Sequence, residues 1–320
     1  MSGPLRPPNI FAGPYLDRTA RSREDSGWLD ALREQSDAVL VPVWQLRNLI
    51  DPGGGTPTAR LLEWPQAAPH VNRSEDLILL GKFRNRLCFA FEIASEAPPS
   101  LAVDAEFHDL RGIGGALPDD EAGLLAYARA MVHWRSRHRF CGSCGAPTAS
   151  SRSGHLLRCT QCGTQQFPRI DPAIIVLVSS GERDGERALL GRQAIWPPGR
   201  YSTIAGFVEP GESLEDAVIR EVHEETGIDA TAPAYHSSQP WPFPASLMLG
   251  FTARARTINI ACRDGELEDA RWFSREDLKT GKILLPPRQS ISYRLIEDWL
   301  HGSPGSEDAR LHGKPAVPKP

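Results

Sequence analysis

Four cysteines in two Cys-x-x-Cys pairs, Cys141/Cys144 and Cys159/Cys162, split the chain into a part before them and a longer part after them. Each pair is followed at once by glycine, Gly145 and Gly163, and the stretch between is rich in Gly, Ser and Thr. Four thiolates at these spacings can surround one Zn²⁺ tetrahedrally, and with no fifth candidate ligand nearby the site is closed and structural. In a reducing compartment such pairs serve as metal ligands rather than disulfides. Cys88 and Cys262 then remain as core or surface thiols.

At 320 residues the chain exceeds the span of one ordinary domain, so two domains with a small module between them are expected. The expected division is a partly disordered N-terminal tail over 1–27, a domain over 28–135, the cysteine module over 136–167, a second domain over 168–300 and a disordered tail over 301–320. With 40% hydrophobic and 24% charged residues the composition is that of soluble globular proteins, which excludes a fibrous or wholly disordered chain. A formal charge of −4 is too mild for a dedicated nucleic-acid binder, so a polyanion must be met by local basic patches or bound cations. No apolar run reaches signal-peptide or membrane-span length, which predicts a cytoplasmic protein with no membrane association.

One local charge bias stands out. From Ala122 to Ile170 there is no acidic residue, whereas Arg129, Arg135, Arg137, Arg139, Arg152, Arg158 and Arg169 all fall there. Two readings are open: a phosphate-facing or RNA-facing surface, or arginines that offset a tetrathiolate zinc and otherwise face solvent.

Up to about Pro118, short apolar runs alternate with turn signals such as Asp51–Gly55 and the Arg84-Asn85 step, which predicts mostly strand. Apolar residues at helical spacing (Leu124, Leu125, Ala128, Met131, Val132) predict a connecting helix from Asp119 to about His138. Beyond the cysteines, strands are expected over Ala173–Ser179, Ala188–Arg192, Ser246–Arg256 and Arg271–Phe273, with helices over Ser213–Glu225 and about Gln289–Leu300. The fold class is therefore mixed, α+β, with a sheet flanked by helices in the C-terminal domain.

Within that domain, Gly206 to Ile228 carries the chemistry. Ser213, with Asp216 three residues on, suits a helix N-cap, and Gly227 falls where a left-handed C-cap belongs. At about 100° per residue, Glu221, Glu224 and Glu225 share one arc with Leu214. Like charges at this spacing destabilise a helix, and partial burial raises the cost, so a polyvalent cation is the natural compensation. Clustered hard oxygen ligands select Mg²⁺ or Mn²⁺. An arbitrary glutamate-rich helix would instead present a solvated acidic face, with Arg220 as an ion-pair partner.

The 23-residue pattern decides between them: Gly206, five residues, Glu212, seven residues, Arg220-Glu221, apolar Val222, any residue, Glu224-Glu225, any residue, Gly227 and apolar Ile228. It resembles the Nudix box at every specified position. The resemblance implies a C-terminal Nudix α/β/α sandwich that holds divalent ions against a pyrophosphate. By that resemblance Glu221 and Glu225 are metal ligands, Glu224 a ligand or base, and Glu212 with Arg220 a pair that orients the loop.

Downstream, Ser238-Gln239-Pro240-Trp241-Pro242-Phe243-Pro244-Ala245-Ser246 combines backbone-stiffening prolines with two aromatic faces. With the cysteine module upstream, it resembles the SQPWPFPxS signature of the NADH diphosphatase (NudC-like) branch of the Nudix hydrolases. That resemblance covers roughly residues 135–300, with the N-terminal part compatible with the branch's degenerate Nudix-like, mostly β domain. It implies a zinc ribbon, Mg²⁺ or Mn²⁺ (about two or three ions) at the box, a homodimer, hydrolysis of NAD⁺ or NADH to nicotinamide mononucleotide and AMP, and removal of NAD caps from RNA. It further implies that the Ala205 carbonyl and Glu266 complete the metal site, that Gln239 to Ser246 line the substrate pocket, and that Ser292 touches the substrate. Phe207 and Trp241 are candidates for stacking on nicotinamide or adenine. Phe167-Pro168-Arg169 stands where many relatives read Tyr-Pro-Arg, so Phe167 can stack but has no hydroxyl to offer.

Two rivals follow from the same residues: a Nudix hydrolase acting on ADP-ribose or nucleoside triphosphates, and a zinc-ribbon RNA-binding protein with a vestigial Nudix domain. A dehydrogenase is disfavoured, because Gly112-Ile113-Gly114-Gly115 does not fit the dinucleotide fingerprint.

Overall fold

The computed structural model describes residues 7–19, 23, 38–71, 73, 76–181, 185–263 and 265–302. The tail expected from 301 onward lies outside them beyond Gly302, as does much of the stretch before residue 38. The described residues form two compact units, one within 1–173 and 238–248, the other within 174–237 and 249–320. No helix among the described residues is long and apolar enough to cross a membrane.

The first unit holds a seven-stranded sheet of β1 (Leu16–Asp17), β2 (Val39–Trp44), β3 (Arg47–Asp51), β4 (Thr58–Ala59), β5 (Ile78–Phe83), β6 (Arg86–Ile93) and β7 (Glu106–His108). Their order is β1-β5-β6-β2-β3-β4, with β7 beside β3. All these pairings are antiparallel except the central one between β2 and β6, which is parallel. Every residue of β2 is buried, because both faces are covered. Val39, Val41 and Val43 join one core cluster, whereas Leu40 and Trp44 join another. The helix α1 (Asp119–Arg137) supplies Ala122, Leu125, Ala128 and Val132 to the first of these. Arg84 and Asn85 make the β5–β6 turn with positive φ of 48° and 64°, the pair of angles a two-residue hairpin needs.

The cysteine module adds a three-stranded antiparallel sheet of β8 (Thr148–Ser151), β9 (Leu156–Cys159) and β10 (Gln165–Gln166), in the order β10-β9-β8. It packs within the first unit: His155 Nε2 bonds to the Leu79 carbonyl at 2.7 Å, and Leu157 enters the core cluster beside α1.

The C-terminal sheet comprises β11 (Asp171–Ser180), β12 (Arg187–Arg192), β13 (Ile204–Phe207), β14 (Ala230–Trp241), β15 (Ser246–Ala255) and β16 (Asp269–Ser274), ordered β14-β15-β11-β12-β16 with β13 beside β11. The strands and helices expected from periodicity here are all present. β13 and β14 were not anticipated, since β13 has only 4 residues and the exposure along β14 does not alternate. Helix α2 (Leu214–Thr226) buries Ala217, Val218 and Val222 against Ile174, Val176, Leu189 and Phe251. Helix α3 (Ile291–His301) buries Ile291, Leu295 and Ile296. The observed class is α+β with mixed sheets, as expected.

Candidate active site

Helix α2 is capped as its sequence requires. Ser213 Oγ accepts the Asp216 amide at 3.1 Å, and Gly227, at φ 69°, donates its amide to the His223 carbonyl at 2.8 Å. The three glutamates that share an arc differ in depth. Glu225 is 5% exposed, the Glu221 side chain 12% and the Glu224 side chain 53%, because the arc straddles the edge of the buried face.

Arg220 ties them together. Its Nε and Nη2 donate to the two oxygens of Glu212 at 2.6 and 2.9 Å, a bidentate pair. Its Nη1 donates to Glu221 and to Glu224, both at 2.9 Å, and Nη2 also reaches the Phe207 carbonyl at 2.9 Å. One guanidinium thus joins the loop before α2, the end of β13 and the glutamate face. Hydrogen bonds from Arg220, and then from the Glu209 amide, draw the Glu212 carboxyl down to about 2. Glu221 moves the other way: burial raises its pKa, Arg220 opposes this in part, and the charges of Glu224 and Glu266 add to the rise.

Glu221 reaches β13 through a glycine. A β-carbon on Gly206 would lie 1.9 Å from Glu221 Cδ, so only a residue without one admits the carboxylate there. A partly buried carboxylate whose pKa is raised by burial first and by neighbouring negative charge second, with Glu225 buried on the same helix, is a hard-oxygen donor set that suits a divalent cation. Among the described residues, the four cysteines are the group of three or more ligand atoms already gathered within 4.8 Å of one another, and the glutamate oxygens are not so gathered. Glu266 is exposed. Ser292 is buried and bonded to Ser202 and Thr203. Phe207 is 60% exposed.

In the cysteine module, the Sγ···Sγ separations are 3.6 Å for Cys141–Cys162, 3.4 Å for Cys144–Cys159 and 3.5 Å for Cys144–Cys162. Tetrahedral Zn–S bonds of about 2.3 Å demand roughly 3.8 Å, so the residues fit the ion. The amides of Ser143 and Cys144 lower the Cys141 thiol, and the Thr164 hydroxyl and amide draw Cys162 down to about 6. Gly145 and Gly163 take φ of 76° and 75° to turn each knuckle.

The segment Ser238–Ser246 belongs to the first unit. Pro240, Trp241, Pro242, Ala245 and Ser246 help line a cavity of about 400 Å³ with Tyr127, Trp134 and Arg169. Four other expected substrate residues lie elsewhere in that unit. Gln239 is buried and donates to the Ile10 carbonyl at 3.3 Å, Phe243 is buried, Pro244 is exposed, and Phe167 is 45% exposed. Trp241 packs edge-on against Phe243 at 5.0 Å and near Phe11 at 6.1 Å.

Several residues that fix this segment were not foreseen from the sequence. Arg129 donates to the Pro242 and Leu46 carbonyls and lies 4.6 Å over the Phe243 ring. Arg111 Nη2 reaches the Phe243 carbonyl at 3.5 Å, and Asn9 Nδ2 the Ser238 carbonyl at 2.8 Å. Phe11, from the expected tail, is 4% exposed. A basic residue on the apolar face of α1 was the one available signal, and it marked Arg129. Of the seven arginines in the acid-free stretch, Arg129 and Arg135 serve backbone carbonyls and Arg139 pairs with Glu92 at 3.0 Å. Neither open reading of that stretch had included such internal roles.

Comparison with known proteins supplies the family. Residues 169–299 match the NUDIX domain, 37–134 the NADH pyrophosphatase-like rudimentary NUDIX domain, and 136–167 the NADH pyrophosphatase zinc ribbon domain. The chain is 43% identical over 234 residues to the NAD-capped RNA hydrolase NudC of Stutzerimonas stutzeri, covering 73% of this chain and 81% of that one. The chain belongs to the Nudix hydrolases. This Nudix hydrolase is also 42% identical over 264 residues to the NAD-capped RNA hydrolase NudC of Deinococcus radiodurans, covering 82% of this chain and 88% of that one. It is 33% identical over 344 aligned positions to the human NAD-capped RNA hydrolase NUDT12, covering 92% and 74%.

Proposed function

We propose that this Nudix hydrolase cleaves the pyrophosphate of NAD⁺ and NADH to nicotinamide mononucleotide and AMP, and removes NAD caps from RNA. The observation that carries the reading is the conjunction, in one chain, of an Arg220-clamped glutamate helix, a four-thiol module and the arginine-held Ser238–Ser246 segment. Relatives that align over most of this chain are NAD-capped RNA hydrolases.

Glu221 and Glu225, with the Ala205 carbonyl and Glu266, would hold Mg²⁺ or Mn²⁺. Such ions, when bound, lower the pKa of a water and neutralise charge that develops on the phosphate oxygens. The chain's own contribution is positional. Arg220 and Glu212 fix the loop and the carboxylate face, and Glu224, exposed and bonded to Arg220, would act as ligand or base. The exposed faces of Phe207 and Phe167 are available to a planar base, and Trp241 lines the cavity. Zn²⁺ on Cys141, Cys144, Cys159 and Cys162 would be structural. We read residues 28–135 as a Nudix-like domain, 136–167 as the ribbon and 168–300 as the catalytic domain, in a cytoplasmic homodimer.

The test is chromatography of products from NADH, NAD⁺, ADP-ribose, nucleoside triphosphates and NAD-capped RNA, with Mn²⁺ and after chelation. Nicotinamide mononucleotide and AMP from NADH, lost on chelation, are expected. Preferred turnover of ADP-ribose or triphosphates would move the substrate assignment, and turnover insensitive to chelation would overturn the metal reading.

A further inference from the structure

We propose that the Ser292 hydroxyl is a positioning group for the strand that carries Ala205 and Gly206, and not itself a substrate-binding group. The inference rests on the assignment of the Ala205 carbonyl and the helix glutamates to the metal site.

Ser292 sits in the first turn of α3, whose cap Ser290 accepts the Tyr293 amide at 3.2 Å. Its neighbour Ile291 is wedged against β15, where a β-carbon on Gly250 would meet Ile291 Cδ1 at 2.8 Å. The helix start is therefore fixed, and Ser292, 3% exposed, points its hydroxyl at residues 202 and 203. The Thr203 amide donates to Ser292 Oγ at 3.2 Å and the Thr203 hydroxyl donates to it at 2.8 Å. A serine hydroxyl has two acceptor positions and one proton. Both acceptor positions are taken, so its proton goes to Ser202 Oγ, 2.8 Å away. The hydroxyl has nothing left for a substrate without breaking one of these bonds.

The bonded partners lie at the entrance to β13. Ser202 also exchanges backbone hydrogen bonds with Gly191 of β12, at 2.9 Å in each direction. Residues 202 and 203 are thus held from the β12 side by backbone and from the α3 side by one hydroxyl. The next residue, Ile204, opens β13, where Ala205 and Gly206 follow. Removal of the Ser292 hydroxyl leaves the buried Thr203 amide and hydroxyl without that acceptor, and the strand entrance is free to shift. The Ala205 carbonyl moves with it.

The experiment titrates Mn²⁺ into the zinc-loaded full chain without substrate, following free Mn²⁺ by electron paramagnetic resonance. Ser292→Ala and Thr203→Val should each weaken Mn²⁺ binding roughly 10-fold, the range for partners that orient metal ligands. The double variant should be no weaker than Ser292→Ala, because that variant already removes the one bond that Thr203→Val removes. Thr203→Ser, which keeps the amide and the hydroxyl, should bind as the unaltered chain does. At saturating Mn²⁺, the KM for NADH of Ser292→Ala should be unchanged. Wild-type Mn²⁺ affinity in Ser292→Ala, or a many-fold rise in its KM at saturating metal, overturns the proposal. If Ser292→Ala does not fold, the contrast between Thr203→Val and Thr203→Ser decides by the same criterion. Glu225→Gln run alongside separates the two readings. Unchanged Mn²⁺ binding there overturns the metal-site assignment and this inference with it, whereas weakened binding there with no loss in Ser292→Ala overturns this inference alone.

Discussion

Gly206 and Glu221 occupy one contact. A β-carbon on Gly206 would fall 2.0 Å from Glu221 Oε1, so the backbone of β13 and the carboxylate of α2 approach as closely as they do only because position 206 has no side chain. The glycine and the Arg220 bond to Glu221 together set where that carboxylate lies.

Gly206→Ala should therefore displace Glu221 and cut kcat about 100-fold, the effect of a misplacement of roughly 1 Å at a reacting centre. Melting temperature should change little, because the clashing atoms are the far end of a flexible side chain. Steady-state kinetics with thermal unfolding on the same sample checks both, and wild-type kcat would refute the contact's role.

Glu225→Gln removes a charge from a buried position without removing volume. Turnover should fall at least roughly 100-fold while the far-ultraviolet circular dichroism stays unchanged. Near-normal turnover at saturating Mn²⁺ would show that Glu225 is no ligand.

Arg129→Met keeps an apolar stem but loses the donors to Leu46 and Pro242. Two carbonyls in the first unit lose a charged partner, which should cost about 1–3 kcal/mol. The readout is a lower urea midpoint at unchanged slope, with KM for NADH raised more than kcat is lowered. An unchanged midpoint would mean that the clamp contributes nothing.

Cys159→Ser should release zinc, since the buried Cys159 thiol is one of four close sulfurs. Elemental analysis should find less than one zinc per chain, and heat should unfold the protein earlier because the binding energy of a structural zinc is folding energy. Full zinc content in this variant would contradict the tetrathiolate site.

His155 predicts a pH dependence. Burial lowers its pKa to about 4, the Leu79 carbonyl opposes that, and the charges of Arg23 and Arg18 reinforce it. The folded state therefore holds a neutral ring, whereas the unfolded chain binds a proton near pH 6.5. The contribution is complete above about pH 6.5 and is lost as pH falls toward 4, on the order of 2–3 kcal/mol in all. In urea titrations between these limits, His155→Gln should show a shallower loss of stability than the unaltered chain. Parallel pH profiles would remove His155 as the cause.

The sequence by itself determined the local chemistry. Cysteine spacing defined the four-thiol module, and Ser213, Gly227 and the glutamate register defined a capped helix with a charged arc, because caps, knuckles and faces depend on residues a few positions apart. Periodicity also placed α1, α3 and the strands whose faces alternate or are wholly apolar.

Tertiary structure decided what no short window contains. It divided one acidic arc into a buried Glu225, a largely shielded Glu221 and an exposed Glu224, since depth depends on which elements pack against the helix. It turned Arg129 from a member of a basic stretch into a partner for the Pro242 carbonyl 113 residues away. It drew Asn9 and Phe11 out of an expected tail onto Ser238–Phe243, and it saturated the Ser292 hydroxyl with Ser202 and Thr203. Each of these joins groups far apart in the chain, and their pairing is set by the packing of strands and helices rather than by the propensities of neighbouring residues.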